Sequence, residues 1–250
     1  MIVSALQWET ARQELLVREK ELMRAHDALA AARRRMPWQE VGSYSFSGPA
    51  GRVSLEELFA GRRQLVVYRA FFEEGVFGWP ERPCRGCSMI ADHIGDLAHV
   101  NARDTTFVFA SRAPQEDIVA MKERMGWTLP WYTMTDSFDE DFGVHEWHGT
   151  NVFVRAEGEV YRTYFVNNRG DESLGSTWSI LDLTPWGRQE EWEDSPTGTP
   201  QGKPYEWWDW HDSSTSGPAP QEWREKVEGG IAAFDSAAHP AARPQGCCGR

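Results

Sequence analysis

The sequence predicts an α/β fold in which a central mixed sheet is flanked by helices. Strand-like and helix-like segments alternate over 65–125, which favours parallel strands joined by helical crossovers. Residues 151–165 then form two β-rich runs around Glu157-Gly158, a pattern typical of an antiparallel hairpin. With 250 residues, of which 40% are hydrophobic, the chain is large enough to bury one such core.

The first predicted element is a long helix outside this core. Residues 9–35 contain no Gly or Pro and are rich in Ala, Leu, Glu and Arg, and Met36-Pro37 ends the helix. The compact core is predicted to start near 44–46 and to continue through a turn at Gly48-Pro49. The later elements are predicted in this order: a helix at 54–59, a strand at 65–72, a helix at 88–101, a strand at 105–110, a helix at 114–125, a strand at 129–134, a helical turn at 137–142, the hairpin at 151–165 and a helix at 176–183.

Four regions follow from this pattern. We expect an N-terminal helix in 1–40, the α/β domain in 41–185, a Trp-rich cap packed on that domain in 186–212, and a flexible tail in 213–250. Ten of the 13 tryptophans lie in the second half of the chain, where we expect most of them to fill core and loops. The long helix and the aromatic excess favour a homodimer.

Charge and hydropathy narrow the class of partner. The formal net charge of −12 argues against a nucleic-acid binder. No stretch reaches the roughly 18–20 apolar residues of a membrane span, and the N-terminus becomes charged too early for a secretory signal. We therefore expect a cytoplasmic protein with neither nucleic acid nor membrane as a partner.

The strongest chemical signal is the Cys-x-x-Cys sequence at Cys84 and Cys87, between a predicted buried strand and a predicted helix. A helix that begins here directs free N–H groups at the first sulfur, and Arg85 adds a positive charge, so both favour the thiolate of Cys84. Cys84 is predicted to be the nucleophile and Cys87 the resolving thiol. Pro83 is predicted to support the turn, and Glu73 and Glu74 are candidate proton acceptors for Cys87.

The chain resembles a bacterial thioredoxin-like family of predicted dithiol-disulfide oxidoreductases, domain of unknown function 899. The resemblance covers about 10–215 and rests on the phrases ELLVREKELMRAHDAL, PCRGCSMIADHI, HVNARDTTFVFASRAP, MKERMGWTLPWYT, DFGVHEWHGTNVF and STWSILDLTPWGRQEEWEDSP. It implies a thioredoxin-like fold with a long N-terminal helix and a Trp-rich C-terminal extension. It also implies dithiol chemistry on a small thiol or a protein disulfide, with an electron donor that the sequence does not identify.

Several positions depart from thioredoxins proper. Those proteins have Trp before the first cysteine, Gly-Pro between the two cysteines, and a cis-proline opposite the disulfide. Here Pro83 precedes the pair, and Thr150-Asn151 occupies the neighbourhood of the cis-proline. Thr150, Asn151 and Trp79 are therefore candidates for the substrate side. The segment TMTDSFDEDFGV is similar to peroxiredoxins, which makes a thiol peroxidase that uses the same two cysteines an alternative function.

A metal site is the second alternative. Cys84 and Cys87 with His145 and His148, which have His-x-x-His spacing, would form an S₂N₂ set suited to zinc or copper. In the thiol-disulfide interpretation no cofactor is expected.

Two further groups of residues have several interpretations. The vicinal pair Cys247-Cys248 near the C-terminus is either incidental, a relay of electrons to the first pair, or a site for a soft metal ion. The acidic run at 190–194 is expected to be solvated or to pair with arginines.

Overall fold

The computed structural model describes residues 1–144, 147–213, 221, 223–225 and 228–229. The strands are β1 (Gln39–Glu40), β2 (Ser45–Gly48), β3 (Gly51–Ser54), β4 (Gln64–Arg69), β5 (Thr105–Ser111), β6 (Trp131–Met134), β7 (Gly149–Ala156) and β8 (Glu159–Val166). The α-helices are α1 (Ala5–Arg33), α2 (Leu55–Leu58), α3 (Arg85–His93), α4 (Ala98–Asn101), α5 (Gln115–Met125), α6 (Phe138–Asp141) and α7 (Ser176–Leu181), and Asn168–Leu174 is a 3₁₀ helix.

All eight strands form one mixed sheet in the order β1-β8-β7-β4-β5-β6-β2-β3. Strands β4, β5 and β6 are parallel, and the remaining pairs are antiparallel. Helix α3 follows β4, and the hairpin β7-β8 pairs with β4 on the side away from β5. This is the topology of a thioredoxin-like fold, so the predicted fold class is confirmed.

Strand β4 is central because its side chains serve both faces of the sheet. The sheet has one hydrophobic cluster on each face. Leu65 and Val67 pack in the first cluster, and Tyr68 packs in the second, which also contains Cys84 and Cys87. The second cluster lies on the α3 side of the sheet. The nearly continuous apolar run that predicted this strand thus reflects burial on two sides.

Two predicted chain reversals form as their residues require. Gly126 ends α5 in the left-handed conformation, with φ +66°, where a glycine carries no steric penalty. In the β7-β8 turn, both Glu157 and Gly158 have positive φ, at +55° and +92°. Two such residues in a two-residue loop match the twist of the flanking strands.

The predicted helix at 88–101 is in fact two helices. Helix α3 begins three residues earlier, at Arg85, and ends at His93, and α4 covers only Ala98–Asn101. Gly95 lies in the break, and Oδ1 of Asp96 accepts a hydrogen bond of 2.8 Å from the Ala98 N–H. The local bond of Asp96 replaces helical bonding here, which the apolar periodicity of the segment did not indicate.

Helix α1 begins at Ala5, four residues before the predicted start, because Ser4 and Gln7 form a capping box. None of its residues is buried. At its C-terminal end, the Arg33 guanidinium lies over the ring of Tyr164 in β8, 4.8 Å from the ring centre. The prediction of a long N-terminal helix is confirmed.

The last part of the chain is described only in pieces. Cys247, Cys248 and most of the predicted tail lie outside the described residues, and the four-region division remains a prediction. Within the part of the chain that the structure covers, no helix combines the length and the apolar character needed to cross a bilayer. The cytoplasmic location and the absence of nucleic-acid and membrane partners also remain predictions.

Candidate active site around Cys84 and Cys87

The two cysteines lie at the start of α3, beyond the C-terminal end of β4. Cys84 is the N-cap residue of α3, and Cys87 is in its first turn. Both are free thiols, with exposed fractions of 4% and 1%. The pair therefore lies between a buried strand and a helix, the order of elements that the sequence predicts.

Cys84 is the sulfur that the surroundings stabilise as a thiolate. It makes no regular capping hydrogen bond, but the N–H groups of Gly86 and Cys87 face its sulfur. Burial opposes ionisation, yet hydrogen bonds from the Cys87 thiol, from these N–H groups and from the Trp223 indole outweigh burial and lower the pKa of Cys84. The contribution of Arg85 to this shift remains a prediction.

Cys87 has the opposite electrostatic environment. Burial, together with the neighbouring Cys84, raises the pKa of Cys87 well above its ordinary value. Its sulfur lies 3.2 Å from the Phe71 nitrogen and 3.5 Å from the Tyr68 hydroxyl, both of which donate to it. The pair is thus asymmetric, with one sulfur prepared as a thiolate and the other retained as a thiol.

Both sulfurs line a small cavity of about 40 Å³, room for roughly three water molecules. Four of the aromatic side chains that line it come from the region after the sheet, and we call them the aromatic cover: Trp178, Tyr205, Trp208 and Trp223. Trp147, His148 and Asp171 lie on the remaining wall. The cavity is therefore mostly apolar, with a few convergent polar groups.

The aromatic cover is a contiguous cluster around Trp208. The centre of the Trp208 ring lies 4.4 Å from that of Tyr205, 5.4 Å from Trp178 and 6.0 Å from Trp223. All but Trp208 are at least 95% buried. Aromatic pairs at these separations add specific attraction to the burial of their surfaces, so the cover is a packed structure.

Pro83 and Arg85 both contact the Trp-rich cap. The Pro83 carbonyl accepts a hydrogen bond of 3.0 Å from the Trp210 indole. The Arg85 guanidinium lies over the Trp210 ring, 5.2 Å from its centre, and its Nε is 3.7 Å from a carboxylate oxygen of Asp209. These contacts direct Arg85 to the cap, where it holds the cap on the cysteine loop.

One carboxylate organises the cap from inside, contrary to the expectation of a solvated acidic run. Glu190 is fully buried. Its Oε1 accepts hydrogen bonds from the Tyr205 N–H at 2.6 Å and the Trp207 indole at 2.8 Å, and its Oε2 accepts one from the Trp192 indole at 2.7 Å. The expectation is wrong for Glu190 because three N–H donors, rather than arginines or water, satisfy its charge.

The three substrate-side candidates are not brought together. Thr150 pairs with Tyr68 on the cysteine face of the sheet, and its hydroxyl donates to Asp171. Asn151 pairs with Val67 and is fully buried in the opposite face. The Trp79 indole donates to Asp117 at 3.1 Å, and its ring does not line the cavity.

An Asp–His pair is the feature of the site that the sequence did not reveal. Nδ1 of His148 lies 2.8 Å from Oδ2 of Asp171, whose Oδ1 accepts a bond of 2.6 Å from the Thr150 hydroxyl. Burial lowers the basicity of His148, but the hydrogen bond and charge of Asp171 prevail, and the pKa of His148 is raised. Asp171 is 23 positions along the chain from His148, and no local motif links the two.

The metal alternative gains no support from the described residues. They include no group of three or more His, Cys, Asp and Glu side chains arranged to hold a metal ion. His145, the fourth ligand of the predicted set, lies outside the described residues. His148 already directs Nδ1 at Asp171, which leaves only Nε2 for any other partner.

A second charged cluster lies on the other side of β4. Arg69, fully buried, is 3.2 Å from Asp139 and 3.3 Å from Glu73. Asp139 also pairs with Arg112. Glu73, predicted as a proton acceptor for Cys87, is thus an ion-pair partner of Arg69.

Comparison with protein families identifies one match. The DUF899 family, described as a bacterial protein of unknown function, matches residues 1–214. No curated protein matches the chain in sequence.

Similar solved structures cover about half of the chain. A hypothetical protein from Sinorhizobium meliloti is 12% identical, with TM-score 0.39, over 52% of this chain and 69% of its own. A thiol:disulfide interchange protein from Bacteroides sp. is 14% identical, with TM-score 0.39, over 58% and 90%. Peroxidoxin BcpB from Mycobacterium tuberculosis is 18% identical, with TM-score 0.35, over 56% and 94%.

Proposed function

This chain belongs to the bacterial DUF899 family, and we propose that it is a thiol-disulfide oxidoreductase with Cys84 as nucleophile and Cys87 as resolving thiol. The observation that carries the proposal is the set of donors around the Cys84 sulfur. The Cys87 thiol, two backbone N–H groups at the start of α3, and the Trp223 indole all favour the thiolate. A thiolate is the reactive form of cysteine in disulfide exchange.

The opposite pKa shifts of the two sulfurs support these roles. The Cys84 thiolate attacks a substrate disulfide, forms a mixed disulfide and releases one substrate thiolate. Cys87 then loses its proton and attacks the Cys84 sulfur, which releases the second substrate thiolate. The protein dithiol is oxidised by two electrons and the substrate disulfide is reduced by two, and a thiol donor restores the dithiol.

The size of the cavity favours a small substrate over a protein disulfide. Cys84 is 4% exposed beneath the aromatic cover, and the space beside it holds about three water molecules. A polypeptide disulfide would reach the sulfur only after the cover moves. A small disulfide such as hydroxyethyl disulfide requires a smaller displacement.

The test is reduction of hydroxyethyl disulfide, with dithiothreitol as electron donor, by a parent protein in which Cys247 and Cys248 are serine. Adding Cys84→Ser should abolish turnover. The parent with Cys87→Ser added, treated with hydroxyethyl disulfide and no thiol donor, should retain a mixed disulfide on Cys84 that is visible by mass spectrometry. Turnover by the Cys84→Ser variant at the parent rate would overturn the proposal.

The same cavity also supports the alternative function, reduction of a hydroperoxide. A peroxide of two or three heavy atoms fits beside Cys84 with the cover in place. The thiolate would attack the peroxide oxygen to give a sulfenic acid and an alcohol or water, and Cys87 would then form the disulfide and release water. Consumption of hydrogen peroxide far faster than of hydroxyethyl disulfide, with loss of both activities in Cys84→Ser, would favour this alternative.

A further inference from the structure

Resolution of a mixed disulfide on Cys84 requires a base for Cys87. Cys87 is 1% exposed, and burial raises its pKa well above the ordinary value, so its sulfur carries a proton at neutral pH. A thiol attacks a disulfide poorly until it loses that proton. Because Cys87 is 1% exposed, we look for the acceptor among the groups that line the same cavity.

His148 lies in the wall of the same cavity as Cys87. Tyr68 contacts both residues: its hydroxyl donates to the Cys87 sulfur at 3.5 Å, and its ring centre is 6.1 Å from that of His148. The charges of His148 and Cys87 also act on each other, which requires proximity.

Asp171 sets the tautomer of His148. Its Oδ2 lies 2.8 Å from Nδ1 of His148, so Nδ1 carries the proton in the neutral ring and Nε2 offers a lone pair. The Thr150 hydroxyl donates to the other Asp171 oxygen at 2.6 Å. Asp171 is 1% exposed, so its orientation is fixed by these two bonds.

Other charged groups near the cavity are occupied elsewhere. Glu172 pairs with Arg188 at 2.8 Å and accepts from the Tyr205 hydroxyl at 3.2 Å. Arg169 pairs with Glu172 at 3.4 Å. The ionisable or charged groups that line this cavity or act on His148 are Cys84, Cys87, Tyr68, Arg69, Asp171, Arg169, Glu172 and Tyr205.

We propose that His148, oriented by Asp171 and Thr150, accepts the proton of the Cys87 thiol during resolution. This inference rests on the proposed function. Nε2 of His148 takes the proton, the Cys87 thiolate forms a bond to the Cys84 sulfur, and the bond from Cys84 to the substrate sulfur breaks. The departing thiolate then receives the proton from the imidazolium, which returns His148 to its neutral form.

Formation of the Cys84 adduct and its resolution by Cys87 can be measured separately with methyl methanethiosulfonate, a reagent small enough to reach the cavity. Cys84 displaces methanesulfinate and becomes an S-methylthio adduct; Cys87 then displaces methanethiol and leaves the intramolecular disulfide. We compare the parent lacking Cys247 and Cys248 with His148→Asn, using rapid quenching and mass spectrometry. His211→Asn is the matched control, because His211 forms a similar Nδ1 contact of 2.6 Å with Asp92 outside the cavity.

His148→Asn should form the adduct at the parent rate but resolve it about a hundredfold more slowly. In the parent and in His211→Asn, the resolution rate should rise as the pH passes through the raised pKa of His148, and we call this rise the limb of the pH profile. The limb should be absent in His148→Asn. Asp171→Asn should move the limb to lower pH, since the charge that raises the pKa is lost.

Unchanged resolution in His148→Asn, or an unchanged pH profile in Asp171→Asn, would overturn the inference. These results differ from failure of the proposed function, in which the parent itself forms no adduct or never resolves it.

Discussion

The six-membered ring of Trp208 lies directly against Gly86, the residue before Cys87 in the Cys-x-x-Cys turn. A Cβ atom at position 86 would lie 2.7 Å from Cζ3 of Trp208, closer than non-bonded carbon atoms approach. The glycine between the cysteines therefore lets the aromatic cover close on the site. Trp208 is 122 positions farther along the chain, so this contact joins two distant segments.

Gly86→Ala should loosen the aromatic cover, because the new methyl group displaces Trp208. We expect iodoacetamide to alkylate Cys84 several-fold faster than in the parent lacking Cys247 and Cys248. Gly95→Ala is the matched control, since a Cβ there meets no atom within 4 Å. Equal alkylation rates in the two variants would show that Trp208 does not limit access to the sulfur.

Trp223→Phe should raise the pKa of Cys84, because it removes the indole N–H that stabilises the thiolate and keeps an aromatic ring. The pH at which Cys84 alkylation reaches half its maximal rate should move upward. Trp207→Phe removes an indole N–H that binds Glu190 instead, and it should leave this midpoint in place. A midpoint that does not respond to Trp223→Phe would contradict the assigned donor.

Glu190→Ala should destabilise the Trp-rich cap, because it leaves the N–H groups of Trp192, Tyr205 and Trp207 without their acceptor. We expect a loss of unfolding free energy of about 1–3 kcal/mol, measured by urea denaturation, mainly from the buried Tyr205 N–H, since the Trp192 and Trp207 side chains are partly exposed. Glu191→Ala is the control, because Glu191 is half exposed and pairs with Lys203. Similar losses in both variants would argue against a structural role for Glu190.

Asp139→Asn should destabilise the fold through the buried charged cluster that includes Arg69 of β4. Asp139 is buried between Arg69 and Arg112, and removing one partner of a buried ion pair costs about 3–5 kcal/mol. Glu140→Gln serves as the control, because Glu140 is 64% exposed and lies 3.6 Å from Arg112. Urea denaturation that shows less than 1 kcal/mol for Asp139→Asn would contradict this expectation.

The His148–Asp171 pair should make stability depend on pH. The pKa of His148 is raised above 6.5 in the folded state, so its stabilising contribution is full below pH 6.5 and is lost as pH rises through the folded pKa. The difference in unfolding free energy between the parent and His148→Asn should therefore shrink at higher pH.

In an Asp171→Asn background, the effect of His148→Asn on the unfolding free energy should be nearly independent of pH. If the effect of His148→Asn in the parent background grows as the pH rises, the pKa of His148 is not raised in the folded state.

Local signals predicted most of the secondary structure. The apolar run of β4, the Pro114 and Gly126 boundaries of α5, and Glu157-Gly158 each act through the conformations of a few neighbouring residues. The same holds for Cys84 at the N-terminus of α3. The predicted helix at 88–101 is too long because the side chain of Asp96 competes with helical hydrogen bonding.

Local signals could not predict on which face of the sheet a strand residue lies. Thr150 and Asn151 are neighbours, yet successive strand residues point to opposite faces, so only Thr150 reaches the cysteine side. Which face is which depends on the pairing of β7 with β4.

The sequence by itself determined the alternation of strands and helices, the position of the two thiols at a helix start, and the family to which the chain belongs. Only the tertiary structure decided that Trp208 and Trp223 line the site, that Asp171 orients His148, and that Glu190 is buried. Helix starts and turns arise from bonds between residues a few positions apart. The aromatic side chains over Cys84, like His148 and Asp171, come from distant segments, and burial of shared apolar surface selects them only when the whole chain packs.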